Sequence, residues 1–207
     1  MSKGGTVRTV DRTHVAAVAG CLRDGGIVLV PTDTVFGLAV LPADEAAVNR
    51  LFELKRRSPE RRLPVMVAET GQLASLGVAV TDAARTLLAS QYVPGPLTIA
   101  LGFADHGRPD WLRTRDEVAV RIPRDDFLLA VLRQTGPLFV TSANAHGMAS
   151  PDRVEEILDQ LSDAPDMIVE GAAGGGQPST LVNCRLVPPV VEREGAVSKA
   201  EIARLLS

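Results

Sequence analysis

Aromatic residues are scarce in this chain: one Trp, one Tyr and five Phe among 207 residues. With hydrophobic residues at 45% and aromatics at 3%, the core must be built from Val, Leu, Ile and Ala. A single-stranded nucleic-acid binder that stacks bases on aromatic platforms is thereby disfavoured. Cysteine is scarcer still: Cys21 and Cys184 have no metal-ligand spacing around them and read as reduced, buried thiols of a cytosolic protein. The three histidines, His14, His106 and His146, sit in unrelated settings, so Ser142 has no partner for serine-hydrolase chemistry. There is no Walker-type glycine loop, which excludes a P-loop mechanism. No run reaches bilayer-spanning length, and Met1-Ser2-Lys3-Gly4-Gly5 lacks the apolar core of a signal peptide. The expectation is a soluble, cytoplasmic protein without membrane contact. A net charge of -3 gives no global attraction to polyanions.

Helical and extended patterns interleave from end to end with no break in composition, so the whole chain, 1–207, reads as one α/β domain. Helices are predicted over Asp11 to Arg23, from an N-cap at Asp44 through Leu54, from Thr81 or Asp82 through Leu88, over Phe127 to Gln134, over Val154 to Leu161 opened by Ser150-Pro151-Asp152, and from a Ser198 cap through Leu205. Strands are predicted at Ile27 to Val30, Leu63 to Val67, Leu97 to Leu101, Val118 to Ile122, Pro137 to Val140, Met167 to Val169, Leu181 to Cys184 and Val190 to Arg193. Residues 102–117, rich in Gly, Pro, Asp and Arg, read as an exposed hairpin or loop anchored by Trp111. Since no helix separates Leu97 from Ile122, antiparallel pairs are expected and the sheet is mixed.

Chemistry concentrates in the loops. Val28-Leu29-Val30 breaks into Pro31-Thr32-Asp33-Thr34 before the apolar run resumes, delivering two hydroxyls and a carboxylate to a sheet rim. Taken alone, this reads equally as an ordinary turn and as a ligand loop. Lys55-Arg56-Arg57 with Arg61-Arg62 packs five cations into eight residues past a helix end. The helix dipole accounts for one or two of them, and the rest point to a polyphosphate or another anion. Gly171 to Gly176 reads as a mobile connection or lid. Nothing resembles a cluster of metal ligands, so magnesium would enter on phosphates.

Seven motifs in register resemble the YrdC-like family, the threonylcarbamoyl-adenylate synthases of tRNA modification. They are Pro31 to Gly37; Lys55-Arg56-Arg57; Pro94-Gly95-Pro96-Leu97-Thr98; Val118 to Pro123; Ser142-Ala143-Asn144 with Ser150-Pro151; Ser179-Thr180-Leu181-Val182; and Arg193 with Gly195. The resemblance covers about residues 20–198. It implies a twisted, mixed α/β sheet flanked by helices around a deep concave cavity, in which ATP, L-threonine and bicarbonate give threonylcarbamoyl-AMP and pyrophosphate. By the same resemblance Thr34, Arg121, Ser179, Met66 and Val140 surround the threonine, with Arg121 on its carboxylate. Lys55, Arg57, Arg61, Ser142, Asn144, Ser150 and Arg193 surround the nucleotide. It implies Mg2+ with ATP, no tightly bound cofactor, no protein metal ligand, no covalent nucleophile, and hand-over of the product to a TsaD-like transferase complex. The alternative is a relative that binds nucleotide or RNA, or that makes a related carbamoyl-adenylate on another acceptor.

Several positions depart from the family pattern. Phe36 stands where Tyr is usual, Ser58 where Pro is usual, Met66 where many relatives carry His, and Glu117 where a hydroxyl residue is usual. Thr141 and Glu194 replace prolines, while Pro178 and Asn183 replace the acids flanking Ser-Thr.

Overall fold

Side-chain caps set where most of the helices begin. The computed structural model describes residues 7–58, 62–145 and 147–207. Asp44 accepts a hydrogen bond from Ala47 N at 2.9 Å and opens α2 (Glu45–Leu54); Thr81 accepts from Ala84 N and opens α3 (Asp82–Leu88). Asp125 caps α4 (Asp126–Thr135), and a reciprocal Ser198/Glu201 capping box opens α6 (Lys199–Leu206). Two starts differ from the sequence-based expectation. Asp11 turns back onto Thr13 N at 2.7 Å, so α1 is Val15–Arg23 and does not begin at Asp11. The cap of α5 (Val154–Gln160) is Arg153, which leaves Pro151 ahead of the helix and outside its first turn.

Among the described residues ten strands form one mixed sheet. They are β1 (Arg8–Val10), β2 (Val28–Val30), β3 (Gly37–Val40), β4 (Val65–Met66), β5 (Leu97–Gly102), β6 (Glu117–Arg121), β7 (Leu138–Ser142), β8 (Met167–Val169), β9 (Thr180–Asn183) and β10 (Val190–Arg193). Their spatial order is β1-β8-β2-β3-β7-β4-β6-β5-β9-β10. The pairs β1/β8, β2/β8, β4/β6 and β5/β9 are parallel; β2/β3, β3/β7, β4/β7, β5/β6 and β9/β10 are antiparallel. Trp111 anchors the 102–117 segment edge-on against Phe139, with ring centroids 5.3 Å apart. Cys184 is buried and Cys21 half-buried, and both are free thiols.

Side-chain alternation divides the sheet into two faces. Leu29, Leu38, Val65, Ile99, Val118, Val120, Phe139 and Val182 join α2, α3 and α6 in the larger core. Val28, Val30, Ala39, Met66, Leu138, Val140 and Val169 pack on the other face under α1 and α4. That second helical layer stops short of β6, β5 and β9. On the same face Thr98, Ala100, Ala119 and Arg121 line a concave space instead of a helix.

Candidate active site

The cavity has a volume of about 370 Å3 and is open to solvent. The strand register arranges its floor in rows. Met66 of β4 pairs with Arg121 of β6, and Ala119 of β6 pairs with Ala100 of β5. Glu117 lies opposite Gly102, while Ala100 lies opposite Asn183 of β9. The floor therefore runs from a cation at Arg121, across the small residues Ala119 and Ala100, to an acid at Glu117.

Pro31 to Phe36 is the hairpin loop between β2 and β3, and it stands over the Arg121 end. Thr32 Oγ1 accepts from Thr34 N at 3.1 Å and donates to Val35 O at 2.7 Å, holding the turn tight. The Thr34 side chain, buried on the cavity wall, accepts from Arg121 Nη1 at 2.8 Å. Arg121 Nε donates to Gly95 O at 3.0 Å, and Nη2 pairs with Asp33 Oδ1 at 2.7 Å. Arg121 is thus an inward-facing strand residue, not the outward one that an Arg in such a run ordinarily is. Its burial lowers the guanidinium pKa, and the Asp33 carboxylate opposes that shift. Gly174 N and Gly175 N donate to Thr32 O and Thr34 O at 2.9 and 3.0 Å, so the glycine tract is seated on this hairpin. A Cβ at Gly174 would lie 3.1 Å from Asp33 O, so a side chain there would press on the hairpin backbone.

Ser179 and Arg193 enter from the far side. Thr98 Oγ1 and Ser179 Oγ are 2.7 Å apart, and Arg193 donates to Ser179 O through Nε and Nη2 at 3.1 and 2.9 Å. Burial, and then the nearby Arg121 charge, lower the Arg193 pKa. Beneath them Thr180 Oγ1 donates to Val197 O and accepts from Gly195 N and Val197 N, tying the segment after β10 to the start of β9.

The opposite rim is cationic. Arg57 Nη1 donates to Thr141 Oγ1 at 3.1 Å and Nη2 to Arg62 O at 3.3 Å, while Arg115 Nη1 donates to Leu63 O at 2.9 Å. Two guanidiniums thus grip consecutive carbonyls and both line the cavity. Arg115 also stacks over the Phe139 ring, 4.7 Å from its centroid. Burial, reinforced by Arg62, holds the Arg115 pKa down to about 10.

Of the residues expected around a ligand, Thr34, Met66, Arg121, Val140, Ser179, Arg57, Ser142 and Arg193 line this one cavity. Lys55, Asn144 and Ser150 do not line it. They form a strut behind Ser142, in which Lys55 Nζ donates to Ser142 O and to Asn144 O, and Ser150 Oγ lies 3.4 Å from Asn144 Oδ1. Burial, with Arg57 adding to it, lowers the Lys55 pKa to about 7. Arg61 lies outside the described residues. Arg115 and Glu192 also line the cavity and were not singled out from sequence, and Thr98, quoted there only within the Pro94 to Thr98 motif, lines it too. Ala119 had a readable signal, since it shares strand parity with Arg121, whereas Thr98 faces the same side only through the register of β5 against β6. Arg115 had none, because it lies in the irregular chain before β6, and Glu192 had none, because the register of β10 shifts between Val191 and Arg193. No group of three or more His, Cys, Asp or Glu among the described residues is placed to hold a metal ion, and no helix among them is long and apolar enough to cross a membrane.

A protein-family model, Sua5/YciO/YrdC, described as telomere recombination, matches residues 20–195. The threonylcarbamoyl-AMP synthase of Bacillus subtilis is 33% identical over 200 residues, which cover 93% of this chain and 56% of that protein. This chain therefore spans little more than half the length of that relative. The threonylcarbamoyl-AMP synthase of Escherichia coli is 35% identical over 165 residues, 78% of this chain and 85% of that protein. The crystal structure of P. abyssi Sua5 complexed with L-threonine superposes with a TM-score of 0.85 at 29% identity, covering 98% of this chain and 61% of the other.

Proposed function

Because the chain belongs to the Sua5/YciO/YrdC family, we propose that it is a threonylcarbamoyl-AMP synthase, condensing L-threonine, bicarbonate and ATP into threonylcarbamoyl-AMP with release of pyrophosphate. The observation that carries this reading is Arg121: a guanidinium only 6% exposed, facing a cavity beside the hydroxyls of Thr34, Thr98 and Ser179. Such a buried cation suits the carboxylate of an amino acid, and the hydroxyls suit its polar remainder. Met66 and Val140 supply an apolar wall next to it.

The chemistry asks for positioning and charge neutralisation more than for a protein nucleophile. The threonine amine loses a proton and forms an N–C bond to CO2 derived from bicarbonate. An oxygen of the resulting carbamate then bonds to the α-phosphorus as the bond to the β-phosphate oxygen breaks, and pyrophosphate leaves with both bonding electrons. Arg121 with Thr34 holds the acceptor, and Arg57, Arg115 and Arg193 offset phosphate charge. Lys55, Asn144 and Ser150 act behind Ser142 by shaping its loop. Mg2+ enters with ATP as part of the substrate. The product is a reactive mixed anhydride, so its use by a TsaD-like transferase complex that modifies tRNA follows in this reading.

Pyrophosphate release should depend on all three substrates when they are mixed with the purified protein. Release that ignores threonine but responds to another amine would keep the adenylating reaction and replace the acceptor. Retention of RNA at low salt with no pyrophosphate release would favour a binding protein over an enzyme.

A further inference from the structure

Along the β6 row of the cavity floor the charge changes sign at Glu117, four residues from Arg121. Glu117 Oε2 accepts from Asn183 Nδ2 and from Arg185 Nε, both at 3.0 Å. Asn183 Nδ2 also donates to Glu192 Oε1 at 2.7 Å, while Asn183 Oδ1 accepts from Arg185 N at 3.0 Å. The amide is therefore used at both ends, with its two N–H groups spent on two carboxylates. Glu117 Oε1 and Glu192 Oε2 receive no hydrogen bond from the described residues, and both side chains line the cavity. The acid at 117, the amide at 183 and the acid at 192 are thus a single hydrogen-bonded unit.

A fixed carboxylate repels phosphate and attracts hydroxyl donors. At this end of the floor Arg57, Arg62 and Arg115 stand on the β4/β7 flank, while Glu117 of β6, paired with Arg185, and Glu192 of β10 stand on the other side, where the Arg193 guanidinium is turned onto Ser179 O. A nucleotide lying here is thereby polarised, with its phosphates toward the arginines and its sugar toward the acids. Length agrees: Arg121 and Glu117 are four residues apart on one face of β6, about 13 Å, and about ten covalent bonds separate an amino-acid carboxylate from the ribose hydroxyls in an aminoacyl-type carbamoyl-adenylate. Carboxylates are the common acceptors for ribose hydroxyls in nucleotide sites.

We infer that Glu117, oriented by Asn183 and assisted by Glu192, accepts the ribose hydroxyls of the nucleotide and makes this site selective for ribonucleotides over deoxyribonucleotides. The inference rests on the nucleotide reading of the cavity. Calorimetric titration of the protein with ATP, 2′-deoxy-ATP and 3′-deoxy-ATP tests it without requiring turnover. A charge-assisted hydrogen bond lost from a partly desolvated site makes at least one deoxynucleotide bind about tenfold weaker or worse. In the Glu117→Thr variant that ratio falls to about two, while the affinity for the deoxynucleotide changes little. Equal binding of all three nucleotides by the unsubstituted protein overturns this inference and leaves the synthase reading standing. Discrimination that survives unchanged in Glu117→Thr assigns the sugar contact elsewhere and also overturns it. Failure of every nucleotide to bind removes the synthase reading and this inference together.

Discussion

Arg121 Nη2 donates to Asp33 Oδ1 at 2.7 Å, an ion pair in which the two side chains are 5% and 10% exposed. Asp33 Oδ2 is buried with no hydrogen-bond partner among the described residues. The carboxylate therefore depends on Arg121, and the guanidinium still has N–H groups beyond those given to Asp33, Thr34 and Gly95. The pair fixes Arg121 in place before a ligand arrives, so an incoming carboxylate meets a preset donor.

Removing one partner of such a pair leaves a buried charge uncompensated, which costs about 3–5 kcal/mol. Arg121→Met should lose about that much stability in urea denaturation, along with pyrophosphate release. Arg121→Met combined with Asp33→Asn should recover much of the stability and none of the activity. A single variant as stable as the unsubstituted protein would show that Asp33 does not depend on Arg121.

Lys55 predicts a pH dependence. Its folded-state pKa is lowered to about 7 from 10.5, so between those values the unfolded chain binds more protons than the folded one and stability rises with pH. Its neutral amine has two N–H groups for two acceptors, Ser142 O and Asn144 O. Relative to Lys55→Met, the unsubstituted protein should gain about 2 kcal/mol between pH 7 and pH 9, read from paired denaturation curves. Parallel curves across that range would mean that Lys55 stays charged.

Thr180 is fully buried, and its hydroxyl serves Val197 O, Gly195 N and Val197 N. Thr180→Val keeps the shape and leaves buried backbone groups unpaired, at about 1–3 kcal/mol. Thr180→Ser should retain most of the stability. Because this hydroxyl ties down the segment next to Arg193, the Val variant should also raise the KM for ATP more than the KM for threonine. An equal rise in both would place Arg193 away from the nucleotide.

Helix starts were readable where a cap is a local event: Asp44, Thr81 and Ser198 each bond backbone within three residues of themselves. The same locality explains the failure at Asp11, where a turn onto Thr13 competes with helix entry. The cavity floor was legible in part, since alternation along Glu117-Val118-Ala119-Val120-Arg121 separates core from cavity residues once one face is known. Arg115 was not legible, because no period runs through the irregular chain around it, and Glu192 was not, because a register shift inside β10 breaks the alternation there.

Short-range patterns settled the helices and most of the strands, though not β1, along with the mixed sheet and the set of loops that carry hydroxyls and cations, because periodicity, capping and turn chemistry act within a few residues. Which of those loops meet, and what each side chain spends its hydrogen bonds on, came from strand order. Arg121 reaches Thr34 across 87 positions, Lys55 reaches Ser142 across 87, and Asn183 reaches Glu117 across 66. Such pairs arise from how ten strands are ordered and registered in one sheet, and that ordering is a property of the whole packed chain rather than of any window along it.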